Sequence, residues 1–194
     1  TRGPMKRILV FAFSSFSLLL PCSAQVQQNI PNELGIVKGL SHQQETLYDI
    51  KAIKNDGTQY NVNVIIDKSC DGSRDICIHS VRAFIDGKET PVKVVSEENG
   101  ARLTIKAITG KGELVDIKGI DKAGKLVDLK VFYKPGSQAH NIKLVHQDGT
   151  ITGKKGFDKN GEIYHIKALT ISEGGIKTVN GVEYFGDVKA ISIH

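Results

Sequence analysis

Leu114–Phe132 reads LVDIKGIDKAGKLVDLKVF. One phrase occurs in it twice, Val115-Asp116-Ile117-Lys118-Gly119-Ile120 and Val127-Asp128-Leu129-Lys130-Val131-Phe132, joined by Asp121-Lys122-Ala123-Gly124-Lys125. In both copies apolar and polar residues alternate, the period-2 pattern of a strand with one buried face. The joining segment is polar and offers Gly124 where a tight turn needs φ > 0. The stretch is a β-hairpin.

The phrase recurs from Tyr48 to the C-terminus. Its lysine is Lys51, then Asn63 in the equivalent place, then Arg82, Lys93, Lys106, Lys118, Lys130, Lys143, Lys155, Lys167 and Lys189. The spacing is about 11–13 residues. It is longer around the cysteines and doubled before Lys189, where residues 176–185 have lost the phrase. Such a period is too short for a helical repeat or a propeller blade. It fits one short strand plus one tight turn. The expected fold is therefore all-β: an antiparallel meander of about 10–12 strands, closed or curled as a barrel, roll or sandwich. The turn glycines Gly57, Gly112, Gly124, Gly149 and Gly161 agree with the period, each standing where a bulged hairpin turn requires a left-handed residue.

Charge gives a register. A hairpin centred on Ala123 sets Asp116 opposite Lys130, Lys118 opposite Asp128 and Ile117 opposite Leu129. One centred on Lys111 sets Lys106 opposite Asp116, and one centred between Pro135 and Gly136 sets Asp128 opposite Lys143. Opposite charges across a ladder contribute about 0.2–1 kcal/mol each, and slipping the register would expose the apolar face. The ladder Asp116, Lys118, Asp128, Lys130 reads as a solvated scaffold. Small residues share one place in the repeat, at Ala52, Ala83, Ala107, Gly119, Gly156, Ala168 and Ala190. They predict strong curvature or a closely packed second layer at that level.

Met5-Lys6-Arg7, the apolar run from Ile8 to Leu20 and Pro21-Cys22-Ser23-Ala24 read as a secretion signal over residues 1–24, with residues 1–4 an upstream remnant and Gln25 the expected mature terminus. The run is short of the roughly 20 residues a span requires, so the mature chain is not expected to be transmembrane. A lipid anchor on Cys22 is the alternative, disfavoured by Pro21. Residues 25–46 form a polar N-terminal arm, open to a short helix, a covering strand or a flexible arm, and residues 47–194 form one β-repeat domain. Removing the signal takes away three of the 26 basic residues (Arg2, Lys6 and Arg7) and no acid, which leaves 23 against 21 acidic ones. So small an excess gives no footprint for nucleic acid.

Cys70 and Cys77 frame a short loop, and in an oxidising compartment a disulfide between them is expected. Neither C-x-x-C spacing nor a nearby His/Cys cluster supports a redox or metal pair. By parity His79 and His146 fall on the apolar face, as core histidines or as a ligand pair, and His165 takes the Asp place in its copy, facing Lys155. The Asn-Asp-Gly and Asp-Lys-Asn-Gly turns lack the ligand set of a calcium loop. No catalytic residue, cofactor or metal site is expected.

The repeated Asp/Ile-Lys-Ala/Gly-Ile phrase, seen at Ile50–Ile53, Ile105–Ile108, Asp116–Ile120, Ile166–Leu169 and Val188–Ile191, follows a signal ending Cys-Ser-Ala-Gln. In this the chain resembles a family of secreted flavobacterial (Bacteroidota) repeat proteins over Tyr48–His194. The resemblance implies export and the repeat fold, and no mechanism. The expected function is that of a non-enzymatic exported β-repeat protein of the cell envelope or secreted fraction, a structural or interaction module with an envelope or extracellular partner. The alternative is a carrier of a small hydrophobic ligand or lipid, with the apolar face lining a cavity.

Overall fold

Each repeat has room for about seven extended residues and a turn, and each becomes one strand. The computed structural model describes residues 34–40, 47–66, 76–96, 103–148, 151–152, 154–157, 163–171 and 175–193. The strands are β1 (Leu34–Leu40), β2 (Leu47–Ile53), β3 (Gln59–Ile65), β4 (Ile76–Ile85), β5 (Lys88–Ser96), β6 (Leu103–Ile108), β7 (Leu114–Ile120), β8 (Leu126–Phe132), β9 (Ala139–Val145), β10 (Ile151–Thr152), β11 (Lys154–Phe157), β12 (Ile163–Thr170), β13 (Lys177–Val179), β14 (Val182–Tyr184) and β15 (Gly186–Ile193). All except β13 and β14 belong to one antiparallel sheet, which closes on itself as a barrel with extra strands.

Three turns share one geometry. Gly57 donates to the Lys54 carbonyl at 2.9 Å, Gly112 to Thr109 at 2.9 Å and Gly124 to Asp121 at 3.0 Å. Their φ values are 84°, 81° and 81°, a region where a Cβ is penalised. Gly149 and Gly161 lie outside the described residues. Two further hairpins turn on Asp86-Gly87 and Asn180-Gly181, with φ positive at both residues of each pair. The Asp-Gly and Asn-Gly dipeptides were the available signal for these two-residue turns.

The hairpins are zipped only beside their turns. β2 and β3 pair at Lys51–Asn61, Ala52–Tyr60 and Ile53–Gln59. Beyond this they part, and β1 enters between them, pairing with both. Leu34–Leu40, in the expected arm, is thus a strand of the closed wall. β4 and β5 part in the same way around β15, and β6 and β7 around β8. At a fourth such place β12 pairs with both β11 and β9.

This opening corrects part of the expected register. Lys106–Asp116 and Lys118–Asp128 pair as derived from charge. Asp116 does not face Lys130, nor Ile117 Leu129, because β6 occupies that edge of β7 and Lys130 faces Thr104. Asp128 faces Val145 instead of Lys143, and Lys143 meets Lys130. The turn at Lys134–Ser137 moves that register by two residues, which leaves inward and outward faces unchanged.

A second regularity links the junctions. Twelve strands carry the repeat position, counting Lys38 of β1, and their residues face each other in six pairs: Lys38–Lys155, Lys51–Lys118, Asn63–Arg82, Lys93–Lys106, Lys130–Lys143 and Lys167–Lys189. Each pair joins a different two of the four junctions. That is the connectivity of a tetrahedron, with a junction at every corner and a pair on every edge.

This register also explains the Ile-Lys-Ala phrase. When two lysines face across antiparallel strands, the residue before one lies opposite the residue after the other. Ile50 therefore meets Gly119, Ala52 meets Ile117, Val62 meets Ala83, Val92 meets Ala107 and Ile166 meets Ala190. In these five pairs large faces small, which limits the volume to be packed inside the closed wall, while Val64–Val81 and Val94–Ile105 set two larger residues together. Between β8 and β9 Leu144 faces Leu129, and Gly39 and Gly119 leave room for the Leu144 methyl groups. The inward side chains form one buried cluster that includes Val64, Val81, Ala107, Leu144 and Val188. Burying each Val, Leu or Ile contributes about 1.5–3 kcal/mol.

Candidate functional site

The residues that remain for function are those on the outer face of the junctions. Strands entering a junction present outward residues at i and i+2, and at the β6–β7–β8 junction the three strands make a ring of six in which polar or acidic residues alternate with lysines. The ring is Thr104, Lys106, Asp116, Lys118, Asp128 and Lys130. Lys106 is hydrogen-bonded to Asp116, and Lys118 donates to Asp128 at 2.5 Å while standing 3.8 Å from Asp116. The hydrogen bond from Lys118 holds the Asp128 carboxyl below its usual range, with Lys130 and Lys106 adding to the effect. At the β4–β5–β15 junction Lys93 donates to Asp187 at 2.5 Å and Lys189 to Ser80 at 3.3 Å. Burial lowers the pKa of Lys189, and the charges of Arg82 and Lys93 act in the same direction against Asp187. At the fourth junction Lys167 donates to Asn141 at 2.5 Å and Lys155 faces His165.

The β1–β2–β3 junction departs from this pattern. Lys38 donates to Asp49 at 2.5 Å. Lys51, however, donates to the neutral Asn61 at 2.6 Å, where its counterpart Lys118 has a carboxylate. The third cation is replaced by Asn63, which faces Ile36. Asn63 is 5% exposed, and among the described residues its Oδ1 has no hydrogen-bond partner. A cavity of about 240 Å³ opens here, lined by Lys38, Asp49, Lys51, Asn61 and Asn63 and by the buried Val37, Ile50 and Val62 that alternate with them along the strands. Two ammonium groups against one carboxylate leave it with an excess positive charge.

A family model described as a family of unknown function (DUF7486) matches residues 34–191. The chain belongs to that family. The DUF7486 match begins with the first residue of β1 and ends inside β15, so it takes in all four junctions. No curated protein and no solved structure matches the chain. The flavobacterial setting of the expected resemblance has no counterpart in the DUF7486 match.

Within this DUF7486 chain the expected site residues are placed as follows. Asp116, Lys118, Asp128 and Lys130 share one ring, although only Lys118 and Asp128 of the four face each other directly. Cys77 is buried in β4 beside Ser192, whereas Cys70, like Cys22, lies outside the described residues. His79 is buried, lies 3.2 Å from Ser192 Oγ and meets the Tyr164 ring edge-on. His146 is half-buried, edge-on to Tyr48. The two thus have separate partners. His165 is exposed and faces Lys155, the surface place expected for it. Among the described residues, no three His, Cys, Asp or Glu side chains gather as a metal-binding group, and no helix is long and apolar enough to cross a membrane.

Sequence reasoning missed His140. It is fully buried, its Nδ1 accepts the Lys134 backbone N–H at 3.1 Å, and its Nε2 lies 2.9 Å from Thr170 Oγ1. With Nδ1 accepting, the proton is on Nε2 and points to Thr170. Desolvation lowers its pKa below the ordinary 6.5. Only its inward parity in β9 marked it in the sequence.

Proposed function

We propose that this protein is a non-enzymatic, exported β-repeat module that acts in the cell envelope or outside the cell through its charged outer face. The observation that carries the reading is the division of labour between the two faces. Inward residues are consumed by the packed cluster, while lysines, carboxylates and amides form ordered rings on the outside. Repeated, partly exposed charges held at fixed spacing suit multivalent contact with a polymeric or protein partner. Titratable groups that an enzyme would need to leave available are engaged in scaffold: Asp128 by Lys118, and His140 by Lys134 and Thr170. The leader-like segment at residues 5–24 and the resemblance to secreted flavobacterial repeat proteins support export. Export in turn supports a Cys70–Cys77 bridge.

Cell fractionation with N-terminal sequencing tests the export half. The expected product begins at Gln25 in an exported fraction, and an uncleaved chain confined to the cytosol would overturn it. Co-sedimentation of the purified chain with isolated envelope tests the other half. Binding should weaken as salt screens the rings, and absence of binding at low salt would reject an envelope role.

A further inference from the structure

We propose that the β1–β2–β3 junction binds a small hydroxylated carboxylate, the chemistry of a sugar acid. Three features of the cavity select this class, and none of them depends on the envelope reading above. The first is charge. Lys51 has only the neutral Asn61 as its acceptor, and across the β2–β7 ladder it faces Lys118, another cation. A carboxylate entering beside Lys51 supplies the negative charge that Asp128 supplies to Lys118 in the neighbouring ring. The second is the orphan acceptor. Asn63 Oδ1 is buried without a partner among the described residues, and an unmet buried acceptor costs about 1–3 kcal/mol. A ligand hydroxyl meets it; a cationic donor would be repelled by Lys38 and Lys51. The third is size. About 240 Å³ is below the roughly 300–1,000 Å³ of sites for drug-sized ligands. That volume accommodates one sugar-sized ring and no lipid chain.

Galacturonate titrated into the isotope-labelled full chain, followed by amide chemical shifts, tests the site. Galactose serves as the neutral control and acetate as the control for charge alone. Saturable shifts are expected at Val37, Asp49, Lys51 and Asn63, with galactose and acetate each binding at least about tenfold more weakly. Lys51→Gln removes the charge and Asn63→Leu the acceptor, and each should weaken galacturonate by a similar factor. Lys51 is half-exposed, so K51Q provides a folded test even if Asn63→Leu disturbs β3. No saturable shift, galacturonate binding no better than acetate or galactose, or full binding by K51Q would overturn the proposal.

Discussion

Leu144 is fully buried at a place in the repeat that Ala or Gly usually fills, and the wall yields to it at Gly39 and Gly119. A Cβ added at residue 119 would stand inside contact distance of one Leu144 methyl, Cδ2, while the other, Cδ1, lies against Gly39. Gly119→Ala should cost about 1–3 kcal/mol in urea unfolding, the usual range for overpacking. In a Leu144→Ala background the same change should cost nothing or be mildly favourable, because the space is then empty. An equal cost in both backgrounds would show that packing against Leu144 is not the reason for the glycine. At His140 the folded pKa is lowered, so the folded state binds fewer protons than the unfolded one as pH falls. The stability of the buried neutral ring is complete above about 6.5, the unfolded value, and is lost progressively below it. Urea midpoints at pH 7.5 and 5.5 should differ more for the wild type than for His140→Gln, whose amide does not titrate. The row of small residues was legible in the sequence, and so was its implication of crowding. Its cause was not, because Gly119 faces Ile50 from a strand that is distant in the chain.

At the scale of the element, the hairpins were readable and their open ends were not. Turn chemistry and charge fixed Lys106–Asp116 and Lys118–Asp128, both near turns. A third strand entering the far end of a hairpin leaves no mark in a local pattern, which is why Asp116–Lys130 failed. The turns themselves differ in how much they carry. Gly57 has open space where a Cβ would stand, whereas at Gly112 it would meet the Asn180 carbonyl at 2.5 Å. Gly57→Ala should therefore cost only the strain of a left-handed alanine, about 1 kcal/mol, and Gly112→Ala clearly more, measured as the difference in thermal midpoint. The β13–β14 hairpin interrupts the repeat where the sequence showed the phrase lost. It is a separate two-stranded sheet, tied back by Asn180 Nδ2 to the Thr109 carbonyl at 2.9 Å and by Tyr184 packed with Val95 and Ile108. Two strands alone are marginal in water. Amides of Lys177–Tyr184 should therefore exchange with deuterium well before those of β2, β7 and β15; equal protection would place the hairpin in the cooperative unit of the wall.

For the whole molecule, the repeat implied about ten to twelve similar strands, and in the closed wall two kinds of contact recur along their edges. On one edge the repeat residue meets its counterpart, cation against cation in five of the six pairs; on the other edge Lys38, Lys93, Lys106 and Lys118 each meet a carboxylate, in Lys38–Asp49, Lys93–Asp187, Lys106–Asp116 and Lys118–Asp128. Cation against cation is destabilising when the charges lie directly opposite, and in Lys38–Lys155, Lys51–Lys118 and Lys93–Lys106 a neighbouring carboxylate offsets the repulsion. Acid should therefore act on the wall as a whole. The Asp128 carboxyl, lowered first by its hydrogen bond from Lys118, and the Asp86 carboxyl, lowered by Lys54 and Tyr60, have folded pKa values below the unfolded 3.8. Their stabilisation is present above 3.8 and is lost as pH falls through the folded values. Protonation removes the attraction at the junctions and leaves the cation pairs Lys51–Lys118 and Lys93–Lys106 unrelieved. Circular dichroism should show one cooperative loss of strand signal below about pH 4. Added salt, which screens the surviving repulsion, should move that midpoint to lower pH. A midpoint indifferent to salt would mean that the facing cations carry no net strain, and that the register is held by the packing of large against small residues alone.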